Sequence, residues 1–356
     1  MDARWGAKQG FQIVIRLRTR LRRLRFTRAI SPLPAPAAAP RPRADEKHEK
    51  HEKHREPWVD VSTTADSDHD AQAHKHGLIS YKELPVWHQD NPFIKHGYRP
   101  ISRSTVACLR SWGFLHNETL NIYTHLVPAA AALFVGEAWV LTYLRQKYAN
   151  AAASDYLIFA FLLSAAATCL GISSAYHTLM SHSQEVEARW LRLDFVGIIV
   201  LIVGSFVSGI YVGFWCETTE RKIYWSMSAS LGVLSIVIML APCFQGPKWR
   251  TFRLVVFVVT GLSGLAPIIH GIHMFGFAQM VKQSGLPYYF AEGGIFLVGA
   301  VTYASRFPEC IKPGTFDIFG SSHQIFHVLV VIATLVHLVG VLQAFDYNYH
   351  NRQCSW

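Results

Sequence analysis

The stretch GSSHQIFHVLVVIATLVHLVGVLQAF (320–345) decides the fold. After its first turn it carries no charged residue. Its apolar run is close to the ~20 residues that a helix needs to cross about 30 Å of hydrocarbon. His323 and His327 open it, four residues apart, so on a helix they share one face. Ionisable groups are costly inside a membrane, and several at one depth point to function.

Six more apolar segments precede it, at about 122–144, 155–180, 191–214, 223–245, 253–276 and 289–306. With the seventh at 324–345 they predict an all-α bundle of seven transmembrane helices. The sixth, around EGGIFLVGAVTYASRF (292–307), is the weakest, being short and Gly-rich. Small residues of that kind favour close helix packing in membranes. Pro267 in the fifth predicts a kink. The short tail at 346–356 leaves no room for an eighth span.

Ahead of the spans, the texture divides in two. Residues 1–80 read as a disordered arm, basic and histidine-rich, and residues 81–121 as an ordered juxtamembrane segment. Residues 103–118 within it suggest a short amphipathic helix, with Val106, Leu109, Arg110 and Trp112 at roughly helical spacing. The arm begins with many arginines and has no acid from Ala3 to Ala44. That composition fits an organelle transit peptide or a basic helix on an anionic membrane surface. A Pro/Ala linker follows at 31–43. In EKHEKHEKH (46–54), His48, His51 and His54 are best taken as a solvated charge run.

Of the 34 Lys and Arg residues, 21 lie in residues 1–121. The net charge of +10 therefore belongs mainly to the arm rather than to a folded face, which excludes nucleic-acid binding. Inner and outer loops are nearly balanced in basic residues, so Arg103, Arg110 and the arm decide for an inside N-terminus and an outside C-terminus. The six cysteines show no CxxC pair and no framework spacing. That pattern argues against both a disulfide scaffold and a thiolate metal site.

With seven spans counted, odd spans start and even spans end on the N-terminal side. Asn121, Thr124 and His125 open the first, and Ser173 and His177 lie near the end of the second. Asp194 lies near the start of the third, and His323 and His327 open the seventh. All four clusters meet one membrane face. Three histidines with an open fourth position are the ligand set of a catalytic zinc, so His177, His323 and His327 are the candidate Zn2+ ligands. Asp194 would ligate the ion directly or hold a zinc-bound water and act as general base. Ser173, one turn before His177, suits a supporting or substrate-oxygen role. Such a centre would hydrolyse a lipid amide or ester. Glu118, Asn121 and His125 read as a hydrogen-bonded brace beneath it. His270, His273 and His337 are expected to be interhelical hydrogen-bonders.

HNETLNIYTHL (116–126), SSAYHTLMSHS (173–183), LDFVGI (193–198) and PGTFDIFGSSHQIFHV (313–328) resemble the signature blocks of the progestin and adipoQ receptor family, also called haemolysin III-related. The resemblance covers roughly residues 87–345 and is nearest the branch of adiponectin receptors and fungal zinc-homeostasis proteins. It implies a bundle with its N-terminus inside and an intramembrane zinc held by His177, His323 and His327. Asp194 would hold the zinc-bound water, with Ser173 beside the site. It also implies ceramidase-like activity. The arm departs from the pattern.

The sequence therefore favours a zinc-dependent lipid amide hydrolase, or a sensor-hydrolase, acting on a ceramide-like membrane lipid. The alternative is a seven-span receptor for an unidentified extracellular or lipid ligand, with zinc purely structural. A pore or transporter is disfavoured, because no charge ring or pair of broken helices occurs. Residence in the plasma membrane or an endomembrane is expected.

Overall fold

The computed structural model describes residues 77–354. The basic segment at the start, the Pro/Ala linker and the EKH run lie outside the described residues. Ile79 and Tyr98 exchange backbone hydrogen bonds of 2.8 and 3.1 Å in an isolated bridge. There are no longer strands among the described residues.

A short helix α1 (Thr105–Arg110) leads into α2 (Thr119–Lys147), α3 (Ala153–Leu179), α4 (Gln184–Gly213), α5 (Thr218–Leu240) and α6 (Arg250–Phe275). Then come a short α7 (Phe277–Ser284), α8 (Leu286–Ser305) and α9 (Ser322–Asn351). Six of these helices, α2 to α6 and α9, are long and apolar enough to cross a membrane. The remaining span is α8, whose 20 residues have the length but include Glu292 and several glycines. It packs along α9. Large side chains such as Phe134, Val135, Leu157, Leu297 and Val301 face outward. On a membrane helix such faces meet lipid. The chain is a multi-pass integral membrane protein.

The expected kink falls just before its proline. The α6 run is interrupted at Ser263 and Gly264, with regular helix resuming at Leu265. Pro267 has no N–H for the carbonyl of Ser263, four residues back, so the ladder opens there. The predicted 103–118 helix is shorter than expected. Ser104 caps it by accepting from the Ala107 N–H at 3.3 Å. A 3-10 turn then follows at Ser111–Gly113. There the Ser111 hydroxyl donates back to the Cys108 carbonyl (2.7 Å) and the Trp112 indole donates to Thr178 (2.9 Å). Docking on the end of α3 thus wins over continued helix.

Two features of the packing position the polar clusters. At Gly197 on α4, an added Cβ would stand 3.2 Å from the Cα of Cys169 on α3, so the two backbones nearly touch one turn beyond Asp194. At the start of α9, the fully buried Glu309 accepts from the Ser322 N–H (2.8 Å), the Ser322 hydroxyl and Asn91 Nδ2 (3.1 Å). A carboxylate at a helix N-terminus satisfies orphan N–H groups and complements the dipole. The histidine-bearing turn is therefore anchored.

At the opposite end, α9 runs past the expected 345 to Asn351. Arg352 pairs with Glu217 at 2.7 Å, and Asn348 Nδ2 donates to the carbonyls of Val212 and Gln283. Cys216 and Cys354 form a disulfide across 138 residues of sequence. A long-range disulfide is thus present, although the cysteine spacing argues against a disulfide scaffold. Spacing rules detect frameworks of close cysteines, whereas this pair is joined only because two helix ends meet. Cys108 and Cys169 are free and buried, as a small-hydrophobe role requires.

His116, just before α2, is fully buried, and its Nδ1 accepts from the Glu118 N–H at 3.1 Å. Burial pushes its pKa down to about 3 from the usual 6.5. The unfolded chain therefore binds a proton between these values that the native state refuses. The contribution is complete above pH 6.5 and is lost as the pH falls towards 3, at up to roughly 1.4 kcal/mol per unit. Thermal melts of the purified protein should show declining midpoints from pH 6.5 to 4. His116→Gln should flatten part of that slope.

Candidate metal centre

Ser173 and His177 lie four residues apart on the last turns of α3, and His323 and His327 four apart on the first turns of α9. Each pair shares a face. The packing of α2 against both helices closes the space between them. One ligand nitrogen from each of His177, His323 and His327 lies within 4.8 Å of the others. His177 and His327 are buried and His323 is half-buried. Among the described residues this is the one group of three or more His, Cys, Asp or Glu residues arranged to hold a metal ion.

The outer ring nitrogens show how the rings are aimed. His177 Nδ1 donates to Glu118 Oε2 at 2.7 Å, and His327 Nδ1 donates to the Asn121 carbonyl at 3.1 Å. With those protons placed, both Nε2 atoms carry lone pairs directed into the cluster. His177 Nε2 stands 3.2 Å from His323 Nε2. Tetrahedral bonds of 2.0–2.1 Å set ligand atoms about 3.3 Å apart. The donor set thus fits a three-nitrogen ion, with carboxylate and carbonyl partners of the kind that raise ligand basicity.

The supports come from neighbouring elements. Asn121 Nδ2 donates to Glu118 at 2.6 Å, so the carboxylate is itself held. His125 stacks on His327 with ring centroids 3.7 Å apart and reaches the His327 carbonyl through Nε2. Arg99, 5% exposed, donates to the carbonyls of His177 and Thr178 and to Ser111. A cation there complements the C-terminal dipole of α3. Thr124 instead bonds the Leu120 carbonyl on its own helix.

The structure thus brings His177, His323 and His327 together, and Asp194 lies outside that group of three. It adds Glu118 in direct contact with a candidate ligand, where the sequence suggested a brace. The three-residue spacing of Glu118 and Asn121 puts them on one side of the start of α2, but which side chain of α3 they reach depends on how the helices cross. Of the other histidines, His337 bonds Ser208 and Glu292 and His270 bonds the Tyr224 hydroxyl, as expected. His273 is exposed and makes no such bond among the described residues.

Glu118→Gln keeps the shape and removes the charge. Bound metal should dissociate about 10–100-fold more readily, the usual cost of losing an outer partner of a ligating histidine. A competition titration with a metallochromic chelator reads this directly.

A family profile described as Haemolysin-III related matches residues 114–338. The chain is 40% identical over 278 residues to the adiponectin receptor protein of Drosophila melanogaster, an overlap of 78% of this chain and 62% of that protein. Less than two thirds of the fly protein's length is thus represented. The chain is 37% identical over 272 residues to the ADIPOR-like receptor IZH2 of Saccharomyces cerevisiae, covering 76% of this chain and 84% of that protein. It is 33% identical over 318 positions to heptahelical transmembrane protein 3 of Arabidopsis thaliana, covering 78% and 90%.

Proposed function

The chain belongs to the haemolysin-III-related family, and on that premise we propose that it is a zinc-dependent, ceramidase-like lipid amide hydrolase of the adiponectin-receptor-like branch. The observation that carries this is the convergence of three imidazole nitrogens inside an apolar bundle, two of them aimed by Glu118 and the Asn121 carbonyl. His177, His323 and His327 would hold the ion. When bound, zinc lowers the pKa of water towards 7 and polarises a carbonyl.

The remaining chemistry falls to the chain's own residues. Asp194 would accept a proton from the attacking water and aim it, with Ser173 in a supporting role beside His177. A ceramide-like substrate would present its amide carbonyl to the face formed by His177, His323 and His327, and its cleavage would release a fatty acid and a sphingoid base. Fatty acid release from ceramide by the purified full chain tests this. A preparation with full zinc occupancy and no release would overturn it.

A receptor with a structural zinc is the second reading, favoured by the receptor names of the fly and yeast relatives. Both readings place the histidine face towards the cytosol. Supporting that orientation, the Cys216–Cys354 disulfide lies at the opposite face, and disulfides persist in oxidising compartments. In intact cells, a membrane-impermeant maleimide should label Cys216 and Cys354 only after external reduction. Label on the exposed Cys243 in the same cells would reverse the orientation.

A further inference from the structure

A second buried polar cluster lies in the other half of the bundle, where α4, α8 and α9 meet. His337 Nδ1 stands 2.8 Å from Glu292 Oε2, and His337 Nε2 stands 3.0 Å from Ser208 Oγ. His337 is 3% exposed and Glu292 12%. A carboxylate accepts and does not donate, so the imidazole proton sits on Nδ1. The Nε2 lone pair therefore faces the serine hydroxyl. This is the order of contacts in a serine–histidine–carboxylate triad, recognised by geometry rather than by sequence position. His337 comes ten residues after His327 on α9, so the cluster lies about 15 Å further along the axis.

Three observations bear on its chemistry. The Ser208 hydroxyl has one proton, for which the carbonyls of Gly204 and Ser205 at 3.1 and 3.0 Å and His337 Nε2 at 3.0 Å are the acceptors in reach. The Tyr289 hydroxyl is buried with no partner. Its ring stacks on His337, and the hydroxyl lies 3.2 Å from where a Cβ on Gly209 would stand, beside Ser208. An unmet buried donor is costly and calls for an explanation. Finally, Gly293 and Gly294, next to Glu292, are exposed and have open space where side chains would be.

The geometry points to a second reaction centre, in which Ser208 is an activated nucleophile for the acyl ester of a membrane lipid. Ser208 is five residues from the end of α4, about 7.5 Å along the axis. Ser208 Oγ forms a bond to the acyl carbon as its proton passes to His337 Nε2, with Tyr289 donating to the carbonyl oxygen. The carbon–oxygen bond to the lipid alcohol breaks, and the departing oxygen takes the proton from His337. Water then cleaves the Ser208 ester by the same route and releases the fatty acid. Glu292 is a positioning residue that holds the imidazole.

The test is covalent labelling of the purified full chain in micelles by a serine-directed fluorophosphonate, with the adduct mapped by mass spectrometry. A soluble serine hydrolase in the same micelles confirms that the reagent is active. An adduct is expected on Ser208, slowed about 100-fold or more by Glu292→Gln and partly restored by Glu292→Asp. Labelling should persist after zinc is chelated, which separates this centre from the histidine cluster. No adduct on Ser208, or an adduct whose rate ignores both Glu292 variants, would overturn the proposal. The maleimide pattern at Cys216 and Cys354 checks that each variant is folded.

Discussion

Replacing His323 with alanine is expected to remove the metal and ceramide turnover together. His323 supplies one of the three nitrogens and lies nearest another, at 3.2 Å from His177 Nε2. The two remaining imidazoles cannot complete a set that needs three protein ligands. Metal content should fall from about one ion per chain to near background, and fatty acid release should fall with it. The fold should survive, because the first turn of α9 is anchored by Glu309 and by Gln324, which reaches the Asn117 and Ile318 carbonyls. A variant that keeps full turnover would sink the zinc chemistry outright.

Asp194→Asn is expected to separate metal binding from chemistry. Asp194 stands outside the three-histidine group, so the ion should stay. The amide cannot take a proton from water, and loss of a positioned general base typically costs 10²–10⁴-fold. Turnover should fall by about that factor at unchanged zinc content. If the protein is instead a receptor with a structural ion, ligand-dependent signalling should survive this substitution. Loss of signalling together with hydrolysis would count against that alternative. Ser173→Ala, one turn from His177 on α3, should give a milder form of the same phenotype.

Much of this site was legible in the sequence because membrane helices are costly places for polar groups. His177, Asp194, His323 and His327 each interrupt an apolar run, and counting spans places them at one face. The span order was equally legible, apart from α8, where Glu292 and its glycines weaken the apolar signal. Periodicity carries no information on which side chain holds which. Glu118 grips His177 because α2 and α3 cross there, and no spacing within either segment reveals it. The Cys216–Cys354 bond escaped for the same reason: it depends on where two helix ends meet. The short α1 was misjudged because Trp112 and Ser111 find partners on α3 and within the turn, and tertiary contact overrides local helix preference. His337 was recognised as a hydrogen-bonder, but its triad order with Ser208 and Glu292 exists only in three dimensions.

The most direct measurement of the central claim is reversible metal removal on one purified preparation. Zinc content and fatty acid release from ceramide are measured before chelation, after it, and after zinc is added back. About one zinc per chain, with turnover that disappears on chelation and returns with zinc, is the predicted result. Turnover that persists in metal-free protein, or zinc that comes and goes with no turnover at any stage, would contradict it.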